Sequence, residues 1–243
     1  MSITAKIHSI ETFATLDGPG VRYLIFLQGC PLRCIYCHNP DTWTSKTDDV
    51  RSVDEVMEDV RKYRSFISSG GVTLSGGEPL LQSEFCGEIV DACKKEDIHV
   101  AIDTSGAIPL EGCKYSVENA DLLLLDIKSV DDEILKEITG TEKNYALQYL
   151  ELREKLGKPV WIRQVIVPNL TMETEYLNRL ADFLQDFNCI ENVELLPFHK
   201  LGEYKWNSLG KKFVLADTPI PTAEEIEQAI LIFKQHNIKM QTD

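Results

Sequence analysis

Short apolar runs alternate with amphipathic stretches along most of the chain. The runs have the length of buried strands, and they occupy residues 23–27, 72–74, 99–102, 122–125, 160–162 and 193–196. In the first long interval, Val53, Val56 and Val60 mark one helical face, and Ser52 can cap the start of that helix. An apolar run followed by a helical stretch, repeated in this way, predicts βα units around a parallel sheet.

The remaining intervals follow the same rule. Phe85 and Ile89 lie on a second helical face, a further helical region starts at Asp131 and is interrupted at Thr139–Gly140, and another helix covers residues 177–184. About six βα units fit, which is fewer than the eight of a closed TIM barrel. We therefore predict an α/β fold with a partial barrel, formed by residues 1–243 as a single domain without a dividing linker.

Composition narrows the class of protein. The 243 residues, 43% of them hydrophobic, are enough for one well-buried core. A net charge of −14 argues against a nucleic-acid partner, which needs a broad basic surface. No apolar run approaches the roughly 20 residues of a membrane span, and residues 1–6 are not an apolar signal segment. We expect a cytoplasmic protein without a membrane partner.

Three of the seven cysteines lie within eight residues, as Cys30, Cys34 and Cys37. Three thiolates can hold three irons of a [4Fe-4S] cluster and leave the fourth iron open to a substrate atom. The other cysteines have no companion ligands and are predicted to be buried small hydrophobic residues: Cys86, Cys93, Cys113 and Cys189.

Two other readings of the cysteine motif remain open. Cys34 and Cys37 could form a thiol-disulfide pair, although Cys30 would then have no role. The three cysteines with His38 could instead form a structural zinc site, although such sites usually draw ligand pairs from separated segments.

Polar residues end or interrupt the apolar runs, and in parallel barrels this end of the strands carries the site. Gly76 and Gly77 follow the second run and let the backbone approach a ligand closely. Asp103 follows the third run. Asp126 and Lys128 follow the fourth and, two residues apart, lie on one face of the strand. We expect these charges to face the site, because burying them unpaired is costly.

Two further polar residues belong to the last two runs. Arg163 interrupts an apolar strand and needs an anionic or polar partner, either a bound ligand or a buried carboxylate such as Asp126. His199 comes just after the last run.

The cysteine spacing, with Tyr36 before the last cysteine, resembles the signature of radical S-adenosylmethionine enzymes. The flanking segments Asp17–Arg22 and Phe26–Cys30 resemble those of the enzymes that activate glycyl radical enzymes. This resemblance covers most of the chain. It implies a (β/α)6 TIM-like barrel open on one side, and S-adenosylmethionine bound to the open iron of the [4Fe-4S] cluster.

The same resemblance implies roles for single residues. Gly76, Gly77 and Glu78 match a Gly-Gly-Glu motif that meets the amino group of S-adenosylmethionine. Asp103 and Asp126 match a site for a monovalent cation beside the cofactor. No side chain is expected to react itself, and the full set implied to bind the cofactor is Tyr36, Cys37, His38, Gly76, Gly77, Glu78, Asp126, Ile127, Lys128, Arg163 and His199.

The implied reaction is a one-electron cleavage of S-adenosylmethionine, giving a 5′-deoxyadenosyl radical that takes hydrogen from a glycine Cα. The implied protein substrate is pyruvate formate-lyase, because residues 41–69 lack the cysteine-rich insert common in activators of other glycyl radical enzymes. The implied electron donor is reduced flavodoxin or ferredoxin. The alternatives are a small-molecule radical enzyme such as a 7-carboxy-7-deazaguanine synthase, or a non-catalytic zinc-binding module.

Aromatic and basic residues concentrate in residues 199–206, followed by Lys211 and Lys212. The segment follows the last predicted strand, where a long loop can recognise a partner. We predict that Tyr204, Lys205 and Trp206 help to grip the protein that carries the target glycine.

Overall fold

The computed structural model describes residues 3–143 and 145–240, so six residues of the predicted 1–243 domain lie outside the described residues. It contains one eight-stranded sheet in the order β3-β1-β2-β4-β5-β6-β7-β8. The strands are Thr4–Ala14 (β1), Arg22–Leu27 (β2), Val50–Ser52 (β3), Gly71–Gly76 (β4), Val100–Thr104 (β5), Leu122–Asp126 (β6), Val160–Ile166 (β7) and Ile190–Pro197 (β8). From β2 to β8 every neighbouring pair is parallel, whereas β1 pairs antiparallel with both β2 and β3.

Helices follow the parallel strands and return the chain to the opposite edge of the sheet. The helices are Val53–Lys62 (α1), Ser83–Lys95 (α2), Lys114–Asn119 (α3), Asp132–Thr139 (α4), Ala146–Leu156 (α5), Thr174–Leu184 (α6), Glu203–Ser208 (α7) and Ala223–Gln235 (α8). The predicted boundaries have local causes. Ser52 and Glu55 form a reciprocal capping box at the start of α1, and Gly140 ends α4 in the left-handed conformation.

The two faces of the sheet differ in what covers them. Strand residues such as Ile25, Leu74 and Ile102 pack against the helices in the main core. Residues of opposite parity face the concave side, where Ala101, Leu122, Leu124 and Trp161 form a small apolar cluster. Because side chains alternate between faces, Asp103, Asp126 and Arg163 continue the rows of this concave face towards the carboxyl ends of the strands.

The predicted partial (β/α)6 barrel, open on one side, is confirmed: six parallel strands follow one another in chain order. The strands β1 and β3 and the helices α7 and α8 were not predicted, and α7 lies in the stretch after the last strand that was expected to be a loop. Along β1 mainly Ala5 and Ile7 are buried, so this edge strand lacks a continuous apolar run. β3 has only three residues, and α8 buries only Ala229 and Phe233. Within residues 3–143 and 145–240, no helix has the length and apolar character to cross a bilayer.

Candidate cofactor site

The candidate site lies at the carboxyl ends of the parallel strands, around the loop that follows β2. Cys30, Cys34 and Cys37 all line a cavity of about 380 Å³ there. Burial raises the pKa of Cys30 and of Cys34 to about 12. Because thiolates rather than thiols bind iron, loading this loop with metal must release protons.

The three cysteine thiols are suitable ligands for an iron-sulfur cluster that keeps one iron open. All three cysteines are free thiols and come from one loop, and the cavity beside them is lined by both polar and apolar residues. Among the described residues, no three His, Cys, Asp or Glu side chains converge closely enough to enclose a single metal ion. The three cysteines all line the cavity, and three thiolates are the ligands that a [4Fe-4S] cluster with one open iron needs.

The glycine pair after β4 lies directly against the cysteine loop. The N–H groups of Gly77 and Glu78 donate to the carbonyls of Leu27 and Gly29, at 3.0 and 2.8 Å. A Cβ on Gly77 would stand 2.2 Å from the Gly29 oxygen, and Gly76 has a φ of +118°. Both glycines line the cavity. Side chains here would displace the cysteine loop and cover backbone that a ligand can reach.

Glu78 is fully buried and does not line the cavity. Its carboxylate accepts hydrogen bonds from the Thr104 and Ser105 hydroxyls, at 2.6 and 2.7 Å, and from the N–H groups of Leu80 and Ser105. Burial raises the pKa of Glu78, and these hydrogen bonds oppose that rise. The side chain therefore ties the loop after β4 to the loop after β5.

Arg163 forms a buried charge network on the concave face. Its guanidinium lies 2.9 Å from Glu194 and 3.5 Å from Asp103, and it also donates to the Leu16 carbonyl. Asp17 is the third carboxylate, at 3.8 Å. The alternative partner suggested by sequence, Asp126, is instead paired with Lys128. Arg163 itself is not among the residues that line the cavity.

Asp126 and Lys128 face the cavity as the strand period predicts. The Lys128 ammonium lies 2.5 Å from Asp126 Oδ2 and 5.5 Å from the centre of the Tyr36 ring. Burial lowers the pKa of Lys128, but the charge and hydrogen bond of Asp126 together with interactions with Tyr36 and Cys34 outweigh burial, and the pKa is raised. Within the described residues, Asp126 Oδ1 and the Tyr36 hydroxyl are buried without a hydrogen-bond partner. These two atoms are available to a bound ligand.

Asp103 and Ile127 complete the predicted set on this side. The Asp103 carboxylate accepts a hydrogen bond from Ser75 at 2.6 Å and lines the cavity. Ile127 is buried in the main core, and its N–H donates to the Arg163 carbonyl. Its side chain does not line the cavity.

Two histidines form another part of the cavity lining. His38 and His199 are stacked with ring centres 3.9 Å apart, and both line the cavity. Burial lowers the pKa of both histidines, so the neutral form is favoured in each. A neutral, planar pair of this kind offers an apolar surface on which a flat ring can lie.

Helix α7 clamps the cysteine loop from outside, and this corrects one prediction. The Trp206 indole N–H donates to the Cys37 carbonyl at 2.8 Å, and the Lys205 ammonium lies 3.1 Å from Asp41. Trp206 is 6% exposed and packs edge-on against Trp43. The prediction that Trp206 grips a partner is therefore wrong, because the side chain is buried against the cysteine loop. Lys205 is half-buried, and of the three predicted residues Tyr204 is the exposed one.

Sequence reasoning also missed several residues of this site. Asp17 and Glu194 were not predicted to bind Arg163, and Trp43 was not predicted to lie beside the cysteines. Asp17 does not follow an apolar run. It lies in the Asp-Gly-Pro-Gly segment, and the turn-forming residues of that segment were the one sequence feature that marked this position.

Gly202→Ala is expected to loosen the clamp. A Cβ at Gly202 would stand 2.7 Å from the His38 Cα, so the backbone of the cysteine loop would have to move. We expect less iron per chain after anaerobic reconstitution and a lower melting temperature of the apoprotein. Gly112→Ala is the matched control, since its Cβ would have no neighbour closer than 3.8 Å. Iron content equal to wild type in Gly202→Ala would contradict the clamp.

Comparison with known proteins gives a consistent picture. Residues 24–181 match the radical SAM superfamily. The chain is 38% identical to the pyruvate formate-lyase 1-activating enzyme of Escherichia coli K12, over 99% of both chains. It is 43% identical to the pyruvate formate-lyase-activating enzyme of Clostridium pasteurianum, over 88% of this chain and 91% of that protein. A crystal structure of a domain of the Bacteroides vulgatus pyruvate-formate lyase-activating enzyme superposes with a TM-score of 0.59 at 26% identity, covering 71% of this chain and 98% of that one.

Proposed function

Because the chain belongs to the radical SAM superfamily and, within it, to the pyruvate formate-lyase activating enzymes, we propose that it generates a glycyl radical on a pyruvate formate-lyase. The observation that carries the proposal is the convergence of three thiols from one loop on a cavity that Asp126 and Lys128 also line. When bound, a [4Fe-4S] cluster and S-adenosylmethionine supply the one-electron chemistry that removes hydrogen from a glycine Cα.

The residues of this chain hold and orient these groups. Cys30, Cys34 and Cys37 ligate the cluster. Gly76 and Gly77 offer bare backbone to the amino end of the cofactor, and Glu78 positions that backbone through its bonds to the next loop. Positioning of this kind can supply much of a rate enhancement without a reacting side chain.

Other lining residues recognise other parts of the cofactor. The His38 and His199 stack provides a flat surface for the adenine ring. Lys128 and Tyr36 contact each other at the cavity wall, and Ile127 fixes this strand end through its bond to Arg163. Arg163 orients Asp103 at the cavity wall.

A monovalent cation between Asp103 and Asp126 is part of the proposal. Oxygen ligands suit such an ion, and Asp126 Oδ1 has no other hydrogen-bond partner among the described residues. The cation would neutralise the negative charge of the carboxylates that Arg163 and Lys128 leave uncompensated. We further propose a cytoplasmic location, a single domain and a reduced flavodoxin or ferredoxin as electron donor.

The two alternative functions are set aside for different reasons. A small-molecule radical enzyme would have the same fold. The relatives that match most of this chain, however, are named as pyruvate formate-lyase activating enzymes. A zinc module would leave the paired charges of Asp126 and Lys128 beside the cysteines without a purpose.

The test is anaerobic incubation of the reconstituted protein with S-adenosylmethionine, dithionite and a pyruvate formate-lyase. We expect a glycyl radical signal in electron paramagnetic resonance, and deuterium transfer to 5′-deoxyadenosine when the lyase contains α-deuterated glycine. A lyase whose target glycine is replaced by alanine is the control. The proposal would be overturned if the purified protein contained zinc and no iron. It would also be overturned if neither a glycyl radical nor deuterium transfer were observed.

A further inference from the structure

Two cations lie over one indole ring on the outer side of the cysteine loop. The Arg33 guanidinium is 5.2 Å from the centre of the Trp43 ring, and the Lys211 ammonium is 5.7 Å from it. Arg33, Lys211 and the neighbouring Lys212 are all exposed. These three residues form what we call the basic patch.

Trp43 connects the basic patch with the cofactor cavity. The side chain is only 9% exposed and lines the cavity beside Cys30 and Cys37. Burial raises the pKa of the Cys37 thiol, and a hydrogen bond from Trp43 opposes the rise, so the indole contacts a predicted cluster ligand directly. One aromatic ring thus separates the basic patch from that ligand.

The patch stands out against the charge of the whole chain, which is −14. Asp41, two residues before Trp43 in the chain, is already paired with Lys205 at 3.1 Å and with His8 at 3.0 Å. The positive charges of the patch are therefore not cancelled by Asp41. An acidic partner would be repelled by most of the surface and attracted here.

We propose that the basic patch is the docking surface for a small acidic electron-carrier protein that reduces the cluster through the Trp43 side of the cysteine loop. This inference rests on the proposed function, which needs one electron per turnover. The carrier loses that electron and the cluster gains it, and no proton is required. Exposed Leu209 and Val214, near Lys211 in the chain, supply the apolar contact that small, transient electron-transfer interfaces use.

The test compares Lys211→Glu/Lys212→Glu with Lys95→Glu/Lys155→Glu. The control lysines are exposed at the ends of α2 and α5, at the opposite edge of the sheet, and the change in net charge is the same. Binding of flavodoxin to each reconstituted protein is measured by calorimetry at low and high salt. Cluster reduction by reduced flavodoxin and by dithionite is followed by absorbance.

We expect the patch variant to bind flavodoxin roughly tenfold more weakly at low salt and to lose most of the salt dependence, as for a removed electrostatic attraction. Reduction by flavodoxin should slow accordingly. Reduction of the patch variant by dithionite should match wild type, and the control variant should match wild type in every measurement.

Unchanged flavodoxin affinity would overturn the proposal. If the patch variant instead bound the formate-lyase more weakly, the patch would serve the protein substrate. Failure of wild type to form a glycyl radical with dithionite would instead count against the proposed function, because flavodoxin binding is measured separately.

Discussion

Cys30→Ser, Cys34→Ser and Cys37→Ser are each expected to reduce the glycyl radical yield to below detection. Each of these thiols lines the cavity, and the loop supplies no fourth cysteine that could replace a lost ligand. A serine hydroxyl is a poor substitute, because iron in such clusters is held by thiolates. The yield is measured by electron paramagnetic resonance after anaerobic reconstitution, together with iron and sulfide per chain.

Cys93→Ala is the matched control for the three serine variants. Cys93 is fully buried between helices, with its sulfur 3.7 Å from the Met57 sulfur, and has no contact with the cavity. We expect normal iron content and normal radical yield in this variant. Full activity in any one of the three loop variants would show that the ligand assignment is wrong.

Lys128→Met is expected to lower activation at least 100-fold while the fold is retained. The substitution keeps the length of the side chain but removes the ammonium 2.5 Å from Asp126. Breaking a buried ion pair costs about 3–5 kcal/mol because the remaining charge has no partner. Radical yield and thermal unfolding are measured side by side.

Asp126→Asn/Lys128→Met separates the stability effect from the functional one. Removing both charges should restore most of the lost stability, since no carboxylate is left unpaired. Activity should stay low, because the cavity wall would still lack both groups. Recovery of activity in the double variant would show that the pair has only a structural role.

The sequence was sufficient for features that depend on periodicity within one strand. Asp126 and Lys128 were placed on the cavity side because a strand repeats every two residues, and the structure agrees. The need of Arg163 for a charged partner was also predictable. The identity of its partners was not, since Asp17 and Glu194 come from distant segments that only the completed sheet brings together.

Contacts between segments that are far apart in the sequence were the hardest to predict. Trp206 looked like an exposed recognition residue because it lies in a polar, basic stretch after the last strand. Its burial against the cysteine loop depends on Gly202, which allows close approach of the two backbones. No pattern within residues 199–212 reveals that contact.

The clamp between α7 and the cysteine loop also sets an order for the maturation of the protein. The cysteines are synthesised early, but Trp206, whose indole N–H binds the Cys37 carbonyl, emerges from the ribosome 169 residues after Cys37. During synthesis the amino-terminal half can fold first, with the cysteine loop still open on one side. Iron and sulfide delivered to a nascent chain would therefore meet a cysteine loop that α7 does not yet cover.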